Sequence, residues 1–234
     1  MVELRDPKKI IESTLRPLVG NDYEYGGWSD DDGRKILREK ADTLLSINSP
    51  GSRNFLDLLH VINKIEGQCI LEEYLLLYYF ALMSPSDYPI LEIGSLAGAS
   101  TIVLAEAALQ TNRDVISLDP YPISTRCYLD QFKNNTMEYS NIVQYHKGIK
   151  DAVGIIPKEY SFVFIDGDHN YDSVKSDFEL SVPLIVENGF IAMHDYQWGD
   201  NLTIHSRLNN SSYIGLDYGY LAVRKKLIPV GQIV

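Results

Sequence analysis

Leu91-Glu92-Ile93-Gly94-Ser95-Leu96-Ala97-Gly98-Ala99-Ser100 passes from a short apolar run straight into Thr101 to Leu109, a stretch with the apolar spacing of a helix. A strand that feeds a helix through a glycine turn is how a βαβ unit opens. Gly94 and Gly98 lack a Cβ, which opens the turn's backbone to a ligand, and the helix start beyond them offers unpaired N–H groups to a carboxylate. Ser95 and Ser100 add hydroxyls. Alone, a GxxxG turn is more often a tight connection with nothing bound.

Outward from this loop the same alternation repeats. Ile90–Ile93, Val115–Leu118, Ile142–His146, Phe162–Ile165 and Phe190–Met193 are short β-rich runs, each followed by a helix-compatible stretch. Continuous apolar strands joined by helical crossovers predict an α/β fold: a doubly wound, mostly parallel sheet with helices on both faces. Tyr213–Asp217 and Tyr220–Arg224, separated by Tyr218-Gly219, predict a closing antiparallel hairpin. Upstream, the turn signal Ser84-Pro85-Ser86-Asp87 marks a change of pattern. Residues 1–84 read as an N-terminal helical appendage or lid, with helices over 34–47, 51–65 and 69–82, and residues 85–234 as the sheet domain. Asn21 to Gly33 reads as a polar loop whose Tyr23, Tyr25 and Trp28 either close over an acceptor or pack on the domain.

Composition narrows the partners. A net charge of −11 repels a phosphate backbone, and no Lys/Arg cluster reverses it locally, so nucleic acid is not an expected partner. Cys69 and Cys127 form neither a disulfide framework nor a zinc spacing, which suits a reducing cytoplasm. The charged N-terminus, with Glu3, Arg5, Asp6, Lys8 and Lys9, does not read as a secretory signal. Cys69 to Met83 contains Glu72 and Glu73 and is too short for a bilayer span, so it reads as a buried helix and no membrane partner is expected. A homo-oligomer is left open.

Asp119 ends the next strand, Ile116-Ser117-Leu118-Asp119, where a carboxylate can accept both hydroxyls of a ribose. The loop lacks the third glycine of the GxGxxG dinucleotide fingerprint, which weakens a nicotinamide or flavin reading. Glu92-x-Gly94-x-x-x-Gly98 followed by Asp119 resembles the first motif, and its acidic successor, of class I S-adenosylmethionine-dependent methyltransferases. The resemblance covers about residues 85–224 and implies a Rossmann-like fold. It further implies Gly94 against the cofactor, Ser100 near its methionine carboxylate, Asp119 on the ribose and the Gly148-Ile149-Lys150-Asp151 turn beside adenine, with Glu92 bracing the loop.

Two later strands end in polar groups: Phe162-Val163-Phe164-Ile165-Asp166-Gly167-Asp168-His169 and Ile191-Ala192-Met193-His194-Asp195-Tyr196. In open α/β sheets ligands bind at that edge, so Asp166, His169, His194 and Asp195 are expected around one cleft, whereas Asp168, Asn170 and Asp172 read as caps or loop bonds. Hard carboxylate oxygens from Asp166 and Asp195, with His194 beside them, are a candidate Mg²⁺ site. The pattern resembles methyltransferases of the macrocin and cephalosporin-tailoring kind and, more distantly, catechol O-methyltransferase. In the catechol type the base lies three residues after the aspartate, which implies His169 here, with His194 as rival base or metal ligand. An imidazole with a pKa of about 6.5 accepts a proton at neutral pH. The expected reaction is in-line attack of a small-molecule hydroxyl, of a sugar or polyketide-like compound, on the sulfonium methyl. Two other readings stand beside it: a non-catalytic cofactor-binding module, and a different nucleotide enzyme such as a dehydrogenase.

Overall fold

The computed structural model describes Leu58 and residues 61–208, 213–218 and 220–227. The expectations for 34–47, for the loop at 21–33 with Tyr23, Tyr25 and Trp28, and for most of 51–65 lie outside these residues. Helix α1 (Leu71–Met83) is followed by β1 (Ile90–Ile93), α2 (Ala99–Leu109), β2 (Val115–Leu118), α3 (Arg126–Thr136) and β3 (Ile142–Tyr145). Then come α4 (Ile149–Ala152), β4 (Tyr160–Ile165), α5 (Tyr171–Ser181), β5 (Ile185–Met193), α6 (Asn201–His205), β6 (Tyr213–Tyr218) and β7 (Leu221–Lys226). The seven strands lie in the order β3-β2-β1-β4-β5-β7-β6. β1 to β5 pair in parallel, and β7 runs antiparallel to both β5 and β6. This is the expected Rossmann-like sheet with a closing antiparallel hairpin.

Alternation along the strands fills two cores. Ile90, Val115, Phe162, Phe164, Phe190 and Val223 face one side, against Leu76 and Leu77 of α1 and Ile102 and Val103 of α2. Leu91, Ile93, Val163, Ile165, Ile191 and Met193 face the other, against Ile149, Val174 and Phe178. A sheet buried on both faces needs apolar residues at every position, which is why these runs carry no polar alternation. Polar exceptions such as Glu92 on β1, Ser117 on β2 and Ser161 on β4 are wholly buried. α1 is capped at Ser84, and it shares the core of α2 and of strands β1, β4 and β5. No helix among the described residues is long and apolar enough to cross a membrane.

At the base of the sheet Arg113, buried between α2 and β2, joins three segments. Its guanidinium donates to Ala81 O (2.7 Å) and Pro85 O (3.2 Å), to Ser84 Oγ (2.8 Å) and to Ser161 Oγ at the start of β4 (2.7 Å). Burial lowers its pKa to about 10, which still leaves it charged at neutral pH.

Candidate active site

β1 is followed by β2 on one side and neighboured by β4 on the other, so the carboxyl ends of β1, β2 and β4 border the crevice where strand order reverses. A cavity of about 780 Å³ opens there. Gly94, Ser95, Ser100 and Asp119 line one part, Gly148, Ile149 and Lys150 another, and Asp166 and His169 a third.

The glycine loop is held from within the protein. Gly94 has φ +89°, and a Cβ there would stand 2.1 Å from the Asp166 carbonyl oxygen. Its glycine is thus demanded by the backbone of β4's exit. Gly98, with φ +94°, precedes α2, does not line the cavity, and faces Phe132 and Thr136 of α3. Asp119 Oδ2 accepts the Ser95 and Leu96 N–H groups (3.1 and 3.0 Å), and Oδ1 accepts that of Tyr121 (2.9 Å). A carboxylate has about four acceptor sites, and three are committed, so room for both ribose hydroxyls is reduced to about one. Ser117 Oγ donates to Ser95 Oγ (2.8 Å) beneath the loop.

Glu92 is also outside the cavity lining. It is wholly buried under the start of α2, where Thr101 Oγ1 donates to its Oε2 at 2.5 Å. Burial raises its pKa from 4.5 to about 7. Between those values the unfolded chain gives up the proton while the folded chain keeps it, so stability falls as pH rises and stays lower above about pH 7. At about 1.4 kcal/mol per pH unit the loss is about 3 kcal/mol. Glu92→Gln is expected to remove that part of the slope in denaturant unfolding compared at pH 5 and 8; an unchanged slope assigns the loss elsewhere. Asp177, raised to about 7 by burial and by Asp168, adds a similar background in both proteins.

The strand-end groups form a chain of contacts. His169, half-exposed, lies with Nδ1 3.4 Å from Asp195 Oδ2, and its ring stacks on Trp198 at 6.1 Å between centroids. Asp195 takes a left-handed φ of +48°, a conformation aspartate tolerates better than most residues. Burial raises the Asp166 pKa against the pull of His194, while the His194 contact lowers that of Asp195. His194 itself does not line the cavity; its side chain is 3% exposed. Its Nδ1 stands 3.2 Å from Asp166 Oδ1 and 3.3 Å from Asp195 Oδ2, and its Nε2 stands 3.1 Å from Glu73 Oε2. Burial disfavours its charged form, but Asp166, Asp195, Cys69 and Glu73 outweigh burial and raise its pKa. His194 is thus enclosed on both nitrogens, whereas the half-exposed His169 lines the cavity.

Asn170 caps α5, its side chain accepting the Ser173 N–H, and Asp168 accepts from Ser173 Oγ (2.9 Å). Both are loop-building groups, as expected. Several cavity residues were not singled out from the sequence as site groups: Glu66, Gly67, Gln68, Cys69 and Tyr74 before and within α1, and Pro122, Ser124 and Thr125 after β2. The Tyr74 spacing suits a core helix, and its ring is indeed buried, but it also borders the cavity. The visible signal was the pair Glu72-Glu73 in an otherwise apolar stretch.

Comparison with known proteins adds likenesses of sequence and of fold. An uncharacterized protein of Acanthamoeba polyphaga mimivirus is 28% identical over 120 residues, 47% of this chain and 52% of that protein; the chain spans about half the length of the relative. Among solved structures, the O-methyltransferase from Bacillus cereus in complex with SAH has a TM-score of 0.57 at 15% identity, covering 79% of this chain and 94% of that one. The precorrin-6y C5,15-methyltransferase from Geobacter metallireducens has a TM-score of 0.55 at 14% identity (70% and 96% covered). An rRNA methylase from Streptococcus thermophilus has a TM-score of 0.54 at 11% identity (69% and 98% covered). These likenesses share the fold across unlike acceptors. A family model described as a methyltransferase domain matches residues 91–196, the span from the glycine loop through both polar strand ends. That segment is similar to a methyltransferase domain over somewhat less than half of the chain, and it lies on a sheet of the Rossmann-like fold that the structures above share.

Proposed function

We propose that the chain is an S-adenosylmethionine-dependent O-methyltransferase acting on a small-molecule hydroxyl, with His169 as proton acceptor. One observation carries the reading: the loop donors, Asp119 and His169 line a single cavity. Bound S-adenosylmethionine supplies a methyl group on a sulfonium, activated for in-line displacement. Ser95, Ser100 and the first N–H groups of α2 are suited to its methionine end, Asp119 to a ribose hydroxyl, and the Gly148-Ile149-Lys150 turn to adenine. His169 directs Nδ1 toward Asp195, which leaves Nε2 to take the acceptor's proton. The O-methyltransferase crystallised with SAH supports both the cofactor and the choice of oxygen.

A divalent cation also fits. Asp166 Oδ1 and His194 Nδ1 are buried without a hydrogen bond, beside Asp195. Asp166, Asp195 and His194 would hold the ion, which when bound would orient the acceptor oxygen and ease its deprotonation.

Isothermal titration with S-adenosylmethionine, S-adenosylhomocysteine and NAD tests the cofactor: the first two should bind and NAD should not. Binding of NAD alone would return the dehydrogenase reading. Asp119→Ala should weaken S-adenosylmethionine binding by roughly 1.5–3 kcal/mol through the lost charge-assisted bond. The loop loses three acceptor contacts as well, so Asp119→Asn, which keeps one oxygen, should lie between the two. Equal affinity of all three proteins would remove Asp119 from the site.

A further inference from the structure

We infer that the cation site takes a first-row transition ion such as Mn²⁺, rather than the Mg²⁺ expected from its two carboxylates, through the imidazole of His194 held as a ligand by Glu73. Neighbouring ligands on one small cation, at bonds of about 2.1 Å, stand about 3 Å apart. His194 Nδ1 is 3.2 Å from Asp166 Oδ1 and 3.3 Å from Asp195 Oδ2. Neither Nδ1 nor Asp166 Oδ1 has a hydrogen bond, although both are buried. The imidazole and the two carboxylates therefore converge at the spacing of neighbouring ligands, held to one another only by ion-pair contacts that a shared ion would replace.

The other side of the ring fixes its role. Glu73 is wholly buried and accepts the Ile70 N–H on Oε2 and the Tyr220 N–H on Oε1, each at 2.9 Å. A carboxylate that already receives donors on both oxygens acts as an acceptor toward His194 Nε2, 3.1 Å away. With Nε2 donating to Glu73, Nδ1 is the nitrogen turned to Asp166 and Asp195, and a cation bound there would take the place of its proton. A carboxylate behind an imidazole is the usual outer support of a metal-binding histidine. Mg²⁺ favours oxygen ligands and retained water, whereas an imidazole in the set favours first-row transition ions. Glu73 lies outside the segment that matches the methyltransferase family.

The inference rests on the cavity being the methyl-transfer site only for its catalytic meaning; the measurement is made on the full chain, stripped of metal, without cofactor. Mn²⁺ is the probe because a softer ion such as Zn²⁺ is also drawn to the Cys69 thiol, whose sulfur lies within 4.8 Å of ligand atoms of Glu73 and His194. Stoichiometric Mn²⁺ binding is expected, with nitrogen hyperfine coupling in pulsed paramagnetic resonance. The coupling should persist in His169→Gln and vanish in His194→Asp, and Glu73→Gln should bind Mn²⁺ about 10–100-fold more weakly. No Mn²⁺ binding at millimolar concentration, binding without nitrogen coupling, or coupling lost in His169→Gln would each overturn it. If the buried-site variants fail to fold by circular dichroism, the native and His169→Gln spectra decide. Titration with S-adenosylmethionine in the absence of metal separates failure of this inference from failure of the methyltransferase reading.

Discussion

Gly94→Ala should lose about 2–5 kcal/mol of folding stability, the sum of a left-handed backbone penalty and a steric clash in a close-packed turn. The first contribution follows from φ +89°, and the second from a Cβ that would meet the Asp166 carbonyl oxygen at 2.1 Å and Gly167 Cα at 2.7 Å. Both opposing atoms are backbone, so no side chain can swing aside. Against a typical total of about 5–15 kcal/mol, such a loss leaves little folded protein on warming. Gly148→Ala is the matched control: it also borders the cavity, but a Cβ there meets nothing within 4 Å. Its urea unfolding should overlay the native curve. If Gly94→Ala overlaid it too, the turn would not be braced against β4 as described.

His169→Gln should lower turnover on the order of 10²–10⁴-fold while S-adenosylmethionine still binds. Glutamine keeps part of the ring's shape and can still donate to Asp195, but it has no basic nitrogen. The groups proposed to hold the cofactor lie elsewhere, Ser95 and Asp119 after β1 and β2 and Ser100 in α2, so binding should survive the change. Single-turnover rates and calorimetric affinity, measured on the same preparation, separate the two effects. Native-like turnover would mean that alignment, or a bound cation, suffices without an imidazole base. A parallel collapse of affinity would mean that His169 shapes the cofactor pocket instead.

The sheet was legible because strands buried on both faces read as short, predominantly apolar runs, which β1, β2 and β4 show despite the buried Glu92, Ser117 and Ser161 within them. Boundaries shifted where that signal fades. β5 starts at Ile185, five residues before the expected run, because Val186, Glu187 and Asn188 are only partly buried or exposed. β7 begins at Leu221 because Tyr220 belongs to the turn, where its N–H reaches Glu73. In the site, residues at strand ends were readable because the carboxyl edge of a parallel sheet is one known place. What such reasoning lacks is the partner across the fold. Gly94, which the sequence suggests lies against a cofactor and which does line the cavity, is also constrained by Asp166, 72 positions later, and Glu73 reaches His194 across 121 positions. Periodicity carries no trace of a contact at that separation.

The Arg113 junction bears on how the molecule opens. Native proteins unfold in cooperative pieces, and a terminal helix turn is ordinarily among the first to fray. The last turn of α1 cannot detach alone, because freeing Ala81 O and Ser84 Oγ strips a buried guanidinium of its acceptors while Ser161 still holds it to β4. Its amides are thereby assigned to the slow-exchanging class of the central strands. The opposite end of α1 is held as well, through Glu73's bonds to the Ile70 and Tyr220 N–H groups and to His194, so the helix should open only together with the sheet it covers, and Tyr74 keeps its place in the cavity wall.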